Sequence, residues 1–228
     1  MKLIIYTSLF LAFIFQGHSQ KNINLMIGIS NTYSLNIMPT FNSYSGTNIS
    51  VGSQIETKKG NFNILGTYQF SGNYSRGTVF SLQSHLLGII FQYRILSNKR
   101  RFSPFFEIKG LTEVGTNYKN GYMSIDYWFP SIYPEEFSKW VYSSRFYVGT
   151  PFVGNLLLGC DIRLTGGLHL NISAGYGLRV MQTRYADWLY DPVPPKEEIY
   201  KKPVKTRNFQ MLDVQLGISY AFSFKKKK

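Results

Sequence analysis

Between Ile23 and Ile37 the odd positions read Ile23, Leu25, Ile27, Ile29, Asn31, Tyr33, Leu35 and Ile37, and the even positions read Asn24, Met26, Gly28, Ser30, Thr32, Ser34 and Asn36. A period of two sustained over so many residues is the pattern of a β-strand with two chemically different faces, and it is incompatible with an amphipathic helix. The pattern recurs. Ile49, Val51 and Ile55 oppose Asn48, Ser50, Gly52 and Gln54, and Phe62, Ile64, Tyr68 and Phe70 oppose Asn63, Thr67, Gln69 and Ser71. Further strands are expected on Leu87 to Ile95, Phe106 to Val114, Leu156 to Leu164, Leu168 to Val180 and Leu212 to Phe224.

Eight strands is an even number, as a closed barrel with both termini on one side requires. The expected connections alternate in length. Lys58 to Asn61, Ser97 to Arg101 and Thr165 to Gly167 are tight, whereas Pro39 to Gly46, Asn73 to Val79, Tyr118 to Tyr147 and Arg184 to Asn208 are long. Short periplasmic turns and long external loops produce this asymmetry. A soluble lipocalin-like barrel also alternates, but with a charged exterior. Here the polar class is mostly Gly, Ser, Asn and Gln, which suits a crowded polar lumen, so the apolar class is read as facing lipid.

The N-terminus agrees with export. Lys2 precedes an apolar or small stretch from Leu3 to Phe15, and Gly17-His18-Ser19 precede Gln20. This is the pattern of a signal peptide cut between Ser19 and Gln20, and no Cys follows the cut to accept lipid. The expected organisation is a signal peptide over 1–19 and one barrel domain over 20–228. No later apolar run is long enough for a membrane helix. The single cysteine, Cys160, falls on the lipid-facing register and has no partner for an internal disulfide.

The last strand carries Gln215-Leu216-Gly217-Ile218-Ser219-Tyr220-Ala221-Phe222. With Gln215, Gly217, Tyr220 and Phe222 at their spacing, it resembles the C-terminal β-signal read by the outer-membrane barrel assembly machinery. The whole mature chain looks like the eight-stranded OmpA/OmpX-type outer-membrane barrels, and its Tyr- and Asn-rich style is similar to those of Bacteroidota. That resemblance implies an all-β antiparallel transmembrane barrel in the bacterial outer membrane, in contact with membrane lipid and lipopolysaccharide. One departure stands out: Ser223-Phe224 and Lys225 to Lys228 follow the aromatic residue at which such barrels usually end. The likeness is to the barrel alone, without a peptidoglycan-binding domain.

Lys and Arg number 25 against 12 Asp and Glu, and placing them on the strands separates two groups. Glu56, Arg94, Glu107, Lys109, Asp161 and Arg163 fall inward in a lower layer, and Glu113, Arg179 and Asp213 in an upper one. Because a buried charge without a partner is very costly, mutual pairing in a filled interior is expected; a proton or ion pathway is the alternative. Lys58, Lys59, Lys99, Arg100, Arg101 and Lys225, Lys226, Lys227 and Lys228 form a basic periplasmic rim, suited to acidic lipid headgroups or an acidic protein partner. Nucleic acid is not expected there, since stacking aromatic residues are not interleaved with the bases.

The third external loop concentrates Tyr127, Trp128, Phe129, Tyr133, Phe137 and Trp140, and the fourth adds Trp188. Exposed aromatic residues favour binding surfaces, although a membrane-interface girdle would use the same residues. Catalysis finds no support. His85 falls on the lipid-facing register, and His169 has no Ser or acid at a spacing that would build a nucleophilic pair. No metal-ligand cluster and no cofactor motif is present. The expected function is a non-enzymatic barrel serving as a structural or partner-binding subunit of an outer-membrane complex. A lipid A-modifying enzyme and a narrow ion-conducting barrel are the alternatives.

Overall fold

The computed structural model describes residues 23–37, 43–57, 60–74, 82–95, 101–117, 121–124, 143–187 and 196–222. Among the described residues nine strands form one antiparallel sheet: β1 (Ile23–Asn36), β2 (Ser43–Glu56), β3 (Asn61–Tyr74), β4 (Gln83–Arg94), β5 (Phe102–Thr116), β6 (Gly121–Ser124), β7 (Ser143–Thr165), β8 (Leu168–Asp187) and β9 (Val204–Phe222). A short helix, α1 (Lys196–Lys201), lies between β8 and β9.

Two pairings close the sheet on itself. β1 joins β9 from Leu25↔Phe222 to Asn36↔Met211, and β5 joins β7 from Phe102↔Ile162 to Leu111↔Val153. Eight strands therefore make a closed barrel in chain order, and β6 pairs with the upper part of β7, Gly121↔Tyr147 to Ser124↔Ser144, above the stretch that β5 occupies. Both chain ends of the barrel and the short turns at 57–60 and 165–168 lie at one end, here the lower end. In the latter turn Gly166 adopts φ of 51°, a left-handed conformation that glycine enters without a Cβ penalty.

The two faces are reversed relative to a soluble barrel. Ile23, Leu25, Ile27 and Ile29 on β1, Leu87, Ile89 and Phe91 on β4, and Leu212, Val214, Leu216, Ile218, Tyr220 and Phe222 on β9 all project outward and are exposed. Asn63, Gln92, Glu107, Lys109, Asn155, Asp161, Asn171 and Asp213 project inward and are buried. Such a continuous apolar exterior is stable only against hydrocarbon. On β9 the outward apolar run extends from Phe222 up to Leu212, then changes to Gln210, Asn208 and Thr206. That span matches the roughly 9–11 residues a tilted strand needs to cross a bilayer.

Strand lengths differ around the wall. β1 to β5 are 12 to 15 residues long, whereas β7, β8 and β9 have 23, 20 and 19. The long strands, with β6, form a sheet standing above the apolar band. Register shifts at Tyr147/Gly149 and Gly149/Phe152 mark where β7 and β8 leave the barrel; a bulge there adds twist and bends the strand. The expected loops are shorter than the sequence suggested. Ser43 to Gly46 belong to β2, the segment 118–147 holds β6 and the start of β7, and 184–208 holds the end of β8, α1 and the start of β9. The physical reason is that these segments pair outside the membrane, where neither face needs to be apolar, so alternation is lost while the hydrogen-bond ladder continues.

Candidate functional site

The lumen is built from long cationic side chains that cross it. Lys109, on β5, donates from Nζ to Thr32 Oγ1 on β1 (3.4 Å) and to Gln215 Oε1 on β9 (3.2 Å), both on the opposite wall. Thr32 in turn donates to Gln215 (3.1 Å) and accepts from Asn48 Nδ2 (2.9 Å), so its single donor and both acceptor sites are used. The ammonium also feels the carboxylates of Glu107 and Asp213. Glu107 accepts from Gln92 Nε2 (3.1 Å), whose own carbonyl accepts from Asn63 Nδ2 (2.6 Å).

Below this, Arg94 on β4 is fully buried and reaches Asp161 on β7, with Nη1 3.2 Å from Oδ2. Its Nε donates to Gln92 (3.3 Å) and its other terminal nitrogen meets the Met26 sulfur at 4.0 Å. The same Asp161 oxygen accepts from His169 Nδ1 at 2.8 Å. An acid therefore does face His169, contrary to the expectation from spacing. Asp161 and His169 are diagonal neighbours across the β7–β8 turn, since Asp161 pairs with Asn171 and His169 with Arg163, and diagonal side chains on one face are within reach of each other.

Higher up, Arg179 on β8 donates to Ser71 Oγ on β3 (3.0 Å) and places its guanidinium 4.0 Å from the centroid of the Tyr44 ring on β2. Asp213 accepts a hydrogen bond from Asn155 Nδ2. Glu113 accepts from Ser84 Oγ (2.8 Å) and from the Tyr147 hydroxyl (2.5 Å). Gly177 supplies the room for Asp213: a Cβ there would overlap its carboxylate.

Arg94, Glu107, Lys109, Asp161, Arg179 and Asp213 are buried, and their contacts differ from a simple mutual pairing of charges. Arg94 and Asp161 meet as an ion pair, while Lys109 and Arg179 donate to neutral hydroxyl and amide groups and an aromatic ring. Strand tilt and stagger set this arrangement, because the side chain across the lumen is fixed by shear and not by height along a strand. For the same reason the two layers merge, with Lys109 within electrostatic reach of Asp213. Arg163 lies at the lower turn, where its Nε donates to the Gly166 carbonyl (3.0 Å). Glu56 accepts from Asn24 Nδ2 (3.0 Å).

The interior is also less polar than expected. Met26, Leu65 and Ile90 form one inward apolar cluster, Leu86, Leu111 and Val153 a second, and Tyr44, Leu82, Tyr147, Met181, Phe209 and Met211 a third near the upper end. These residues occupy even positions on β1 and β4 and odd positions on β3 and β9, so the inward parity alone could have found them. With the crossing cations they fill the lumen, as the width of an eight-stranded barrel allows. Above it, Arg184 caps α1, its Nη1 donating to the carbonyls of Tyr200 (2.5 Å) and Lys202.

Of the remaining sequence candidates, Gln215 lines the lumen, Gly217 lets β9 approach Ser30 where a Cβ would overlap it, and Tyr220 and Phe222 face outward in an edge-to-face pair with centroids 4.5 Å apart. Arg101 is exposed, with its guanidinium 5.9 Å from the Phe102 ring. Ser19, Gln20, Tyr127, Trp128, Phe129, Tyr133, Phe137, Trp140, Trp188, Lys58, Lys59, Lys99, Arg100 and Lys225 to Lys228 lie outside the described residues. Among the described residues no group of three or more His, Cys, Asp and Glu is placed to hold a metal ion.

No protein-family model matches the chain, and no curated protein matches it in sequence. Solved structures similar to it include Neisserial surface protein A, at 8% identity and a TM-score of 0.46, covering 90% of this chain and 100% of that one. The outer membrane protein OprG from Pseudomonas aeruginosa shares 13% identity at a TM-score of 0.41, covering 91% of this chain and 98% of its own. A de novo designed transmembrane β-barrel shares 13% at 0.36, with 90% and 99% covered. The barrel itself is defined by the strand pairing described above.

Proposed function

We propose that this chain is a non-enzymatic barrel of the bacterial outer membrane, exported by a signal peptide cut between Ser19 and Gln20, that serves as a structural or partner-binding subunit of an outer-membrane complex. The observation that carries this reading is the contrast between a filled lumen and the β6–β9 sheet, which stands above the apolar band on strands of 19 to 23 residues. A lumen crossed by Arg94, Lys109 and Arg179 offers no continuous path for solute, so recognition falls to the ends. The aromatic segments 125–142 and 188–195 are continuous in sequence with β6, β7 and β8 of that sheet, and the basic residues expected at the lower rim suit acidic lipid headgroups or an acidic periplasmic partner. The OmpA/OmpX-type, Bacteroidota-like character of the strands and the β-signal at Gln215 to Phe222 support insertion by the barrel assembly machinery.

Asp161 and His169 are the one acid–imidazole pair described, and both are buried inside the wall, away from the lipid that a lipid A-modifying enzyme must reach. The pair is better read as the anchor of Arg94. Affinity purification of the full chain from native membranes tests the proposal: a stoichiometric companion is expected, and recovery of the barrel alone, with lipid A acylation changed in cells lacking the gene, would overturn it in favour of enzymology.

A further inference from the structure

Arg179, on β8, differs from the other cations that cross the lumen. Arg94 has Asp161, and Lys109 has the field of Glu107 and Asp213. Arg179 is only 2% exposed, yet no carboxylate lies within ion-pairing distance of it among the described residues. The acids of the upper lumen are turned elsewhere: Glu113 accepts from Ser84 and Tyr147, and Asp213 accepts from Asn155.

A guanidinium carries five N–H donors. Nη2 of Arg179 donates to Ser71 Oγ, whereas Nε and Nη1 have no hydrogen-bond partner. The Tyr44 ring, with its centroid 4.0 Å from the guanidinium carbon, attracts the charge through its π face but offers these hydrogens no lone pair. The hydroxyl carried by that same ring is also buried and without a partner. Unsatisfied donors on two touching side chains therefore surround a cation that lacks a counter-charge.

An unpaired buried charge is very costly, and each unmade buried hydrogen bond adds to the cost. A water molecule would accept from these donors, but it leaves the charge uncompensated and brings two hydrogens of its own. A small anion answers both demands. The surroundings set its size: Arg179 pairs with Phe209 across β8 and β9, and Phe209 and Tyr44 belong to the tightly buried cluster of the upper lumen. Packing that close excludes an organic acid or a phosphate and suits an ion of a single atom.

We propose that Arg179 and Tyr44 form a binding site for a halide-sized monovalent anion, held in the upper lumen by the Arg179 guanidinium and the Tyr44 hydroxyl. The ion is the counter-charge that the strands themselves do not provide. It enters from the upper end, because Phe209 stands just above the outward apolar run that finishes at Leu212.

Urea unfolding of the full chain in lipid vesicles tests the site, with chloride replaced stepwise by gluconate, which is too large for it, at constant ionic strength. A ligand bound only by the folded state raises the folding equilibrium by up to about tenfold for each tenfold rise in its free concentration. The unmodified protein is expected to show that dependence, and Arg179→Met to lose it. Tyr44→Phe keeps the ring and the cation–π contact and removes the hydroxyl alone, so it folds even where Arg179→Met does not. It is expected to match the unmodified protein in gluconate and to bind chloride about tenfold more weakly, as loss of a hydrogen bond to a charged group predicts. In crystals grown with bromide, an anomalous peak is expected beside Arg179. Stability independent of chloride in the unmodified protein, an unchanged chloride dependence in Tyr44→Phe or Arg179→Met, or bromide absent from Arg179 would each overturn the proposal.

Discussion

Replacing Asp161 by Ala removes the acceptor shared by Arg94 and His169. Arg94 is fully buried, and after the change its cationic guanidinium keeps only the Gln92 amide, the Met26 sulfur and the more distant field of Glu107. Leaving one member of a buried pair uncompensated costs about 3–5 kcal/mol, which is roughly two to four powers of ten in the folding equilibrium. Replacing both members with apolar residues, Arg94→Met with Asp161→Leu, removes the charges and their desolvation together. The expected outcome lies between neutral and a gain of about 1–4 kcal/mol. Urea unfolding in lipid vesicles, followed by the gel shift of unboiled protein, gives both values as midpoints at constant slope. A single-mutant cost below about 1 kcal/mol, or a double mutant as unstable as Asp161→Ala, would show that the pair does not hold the lower lumen together.

Three further outcomes are expected. Gly177→Ala should push the Asp213 carboxylate off Asn155 and lower the urea midpoint by about 1–3 kcal/mol of stability, as overpacking does in a filled interior; an unchanged midpoint would mean the upper lumen has slack. Arg184→Ala should remove the cap from α1 and speed amide exchange at Tyr200 to Lys202, at a local cost of about 1 kcal/mol, while the urea midpoint of the barrel stays put. In planar bilayers the full chain should give no conductance steps, and Arg179→Ala should leave it silent because the Tyr44, Met181 and Phe209 cluster still fills the upper lumen; resolved steps from the unmodified protein would refute a filled interior.

The alternation from Ile23 to Ile37 and its recurrence on the other strands were sufficient to assign every barrel strand to its face. Side-chain direction in a strand is a local property with period two, and lipid demands an apolar exterior regardless of what lies across the barrel. The Asp161–His169 contact was legible in principle, because a tight turn fixes the register of its two strands and the residues are only eight apart. By contrast, Lys109 finds Thr32 and Gln215 at separations of 77 and 106 residues, and Arg179 finds Ser71 at 108. Those partners depend on how far the sheet is sheared when it closes, a quantity no single strand encodes. The upper extensions of β7, β8 and β9 were hidden for a different reason: above the membrane both faces meet water, so the ladder continues without a hydrophobic signature. The sequence alone therefore determined an inside-out barrel and the sign of each face. Closure alone decided which partners the long cations meet across the lumen, Arg94 with Asp161, Lys109 with Thr32 and Gln215, and Arg179 with Ser71, since each of these requires strands distant in the chain to be brought together.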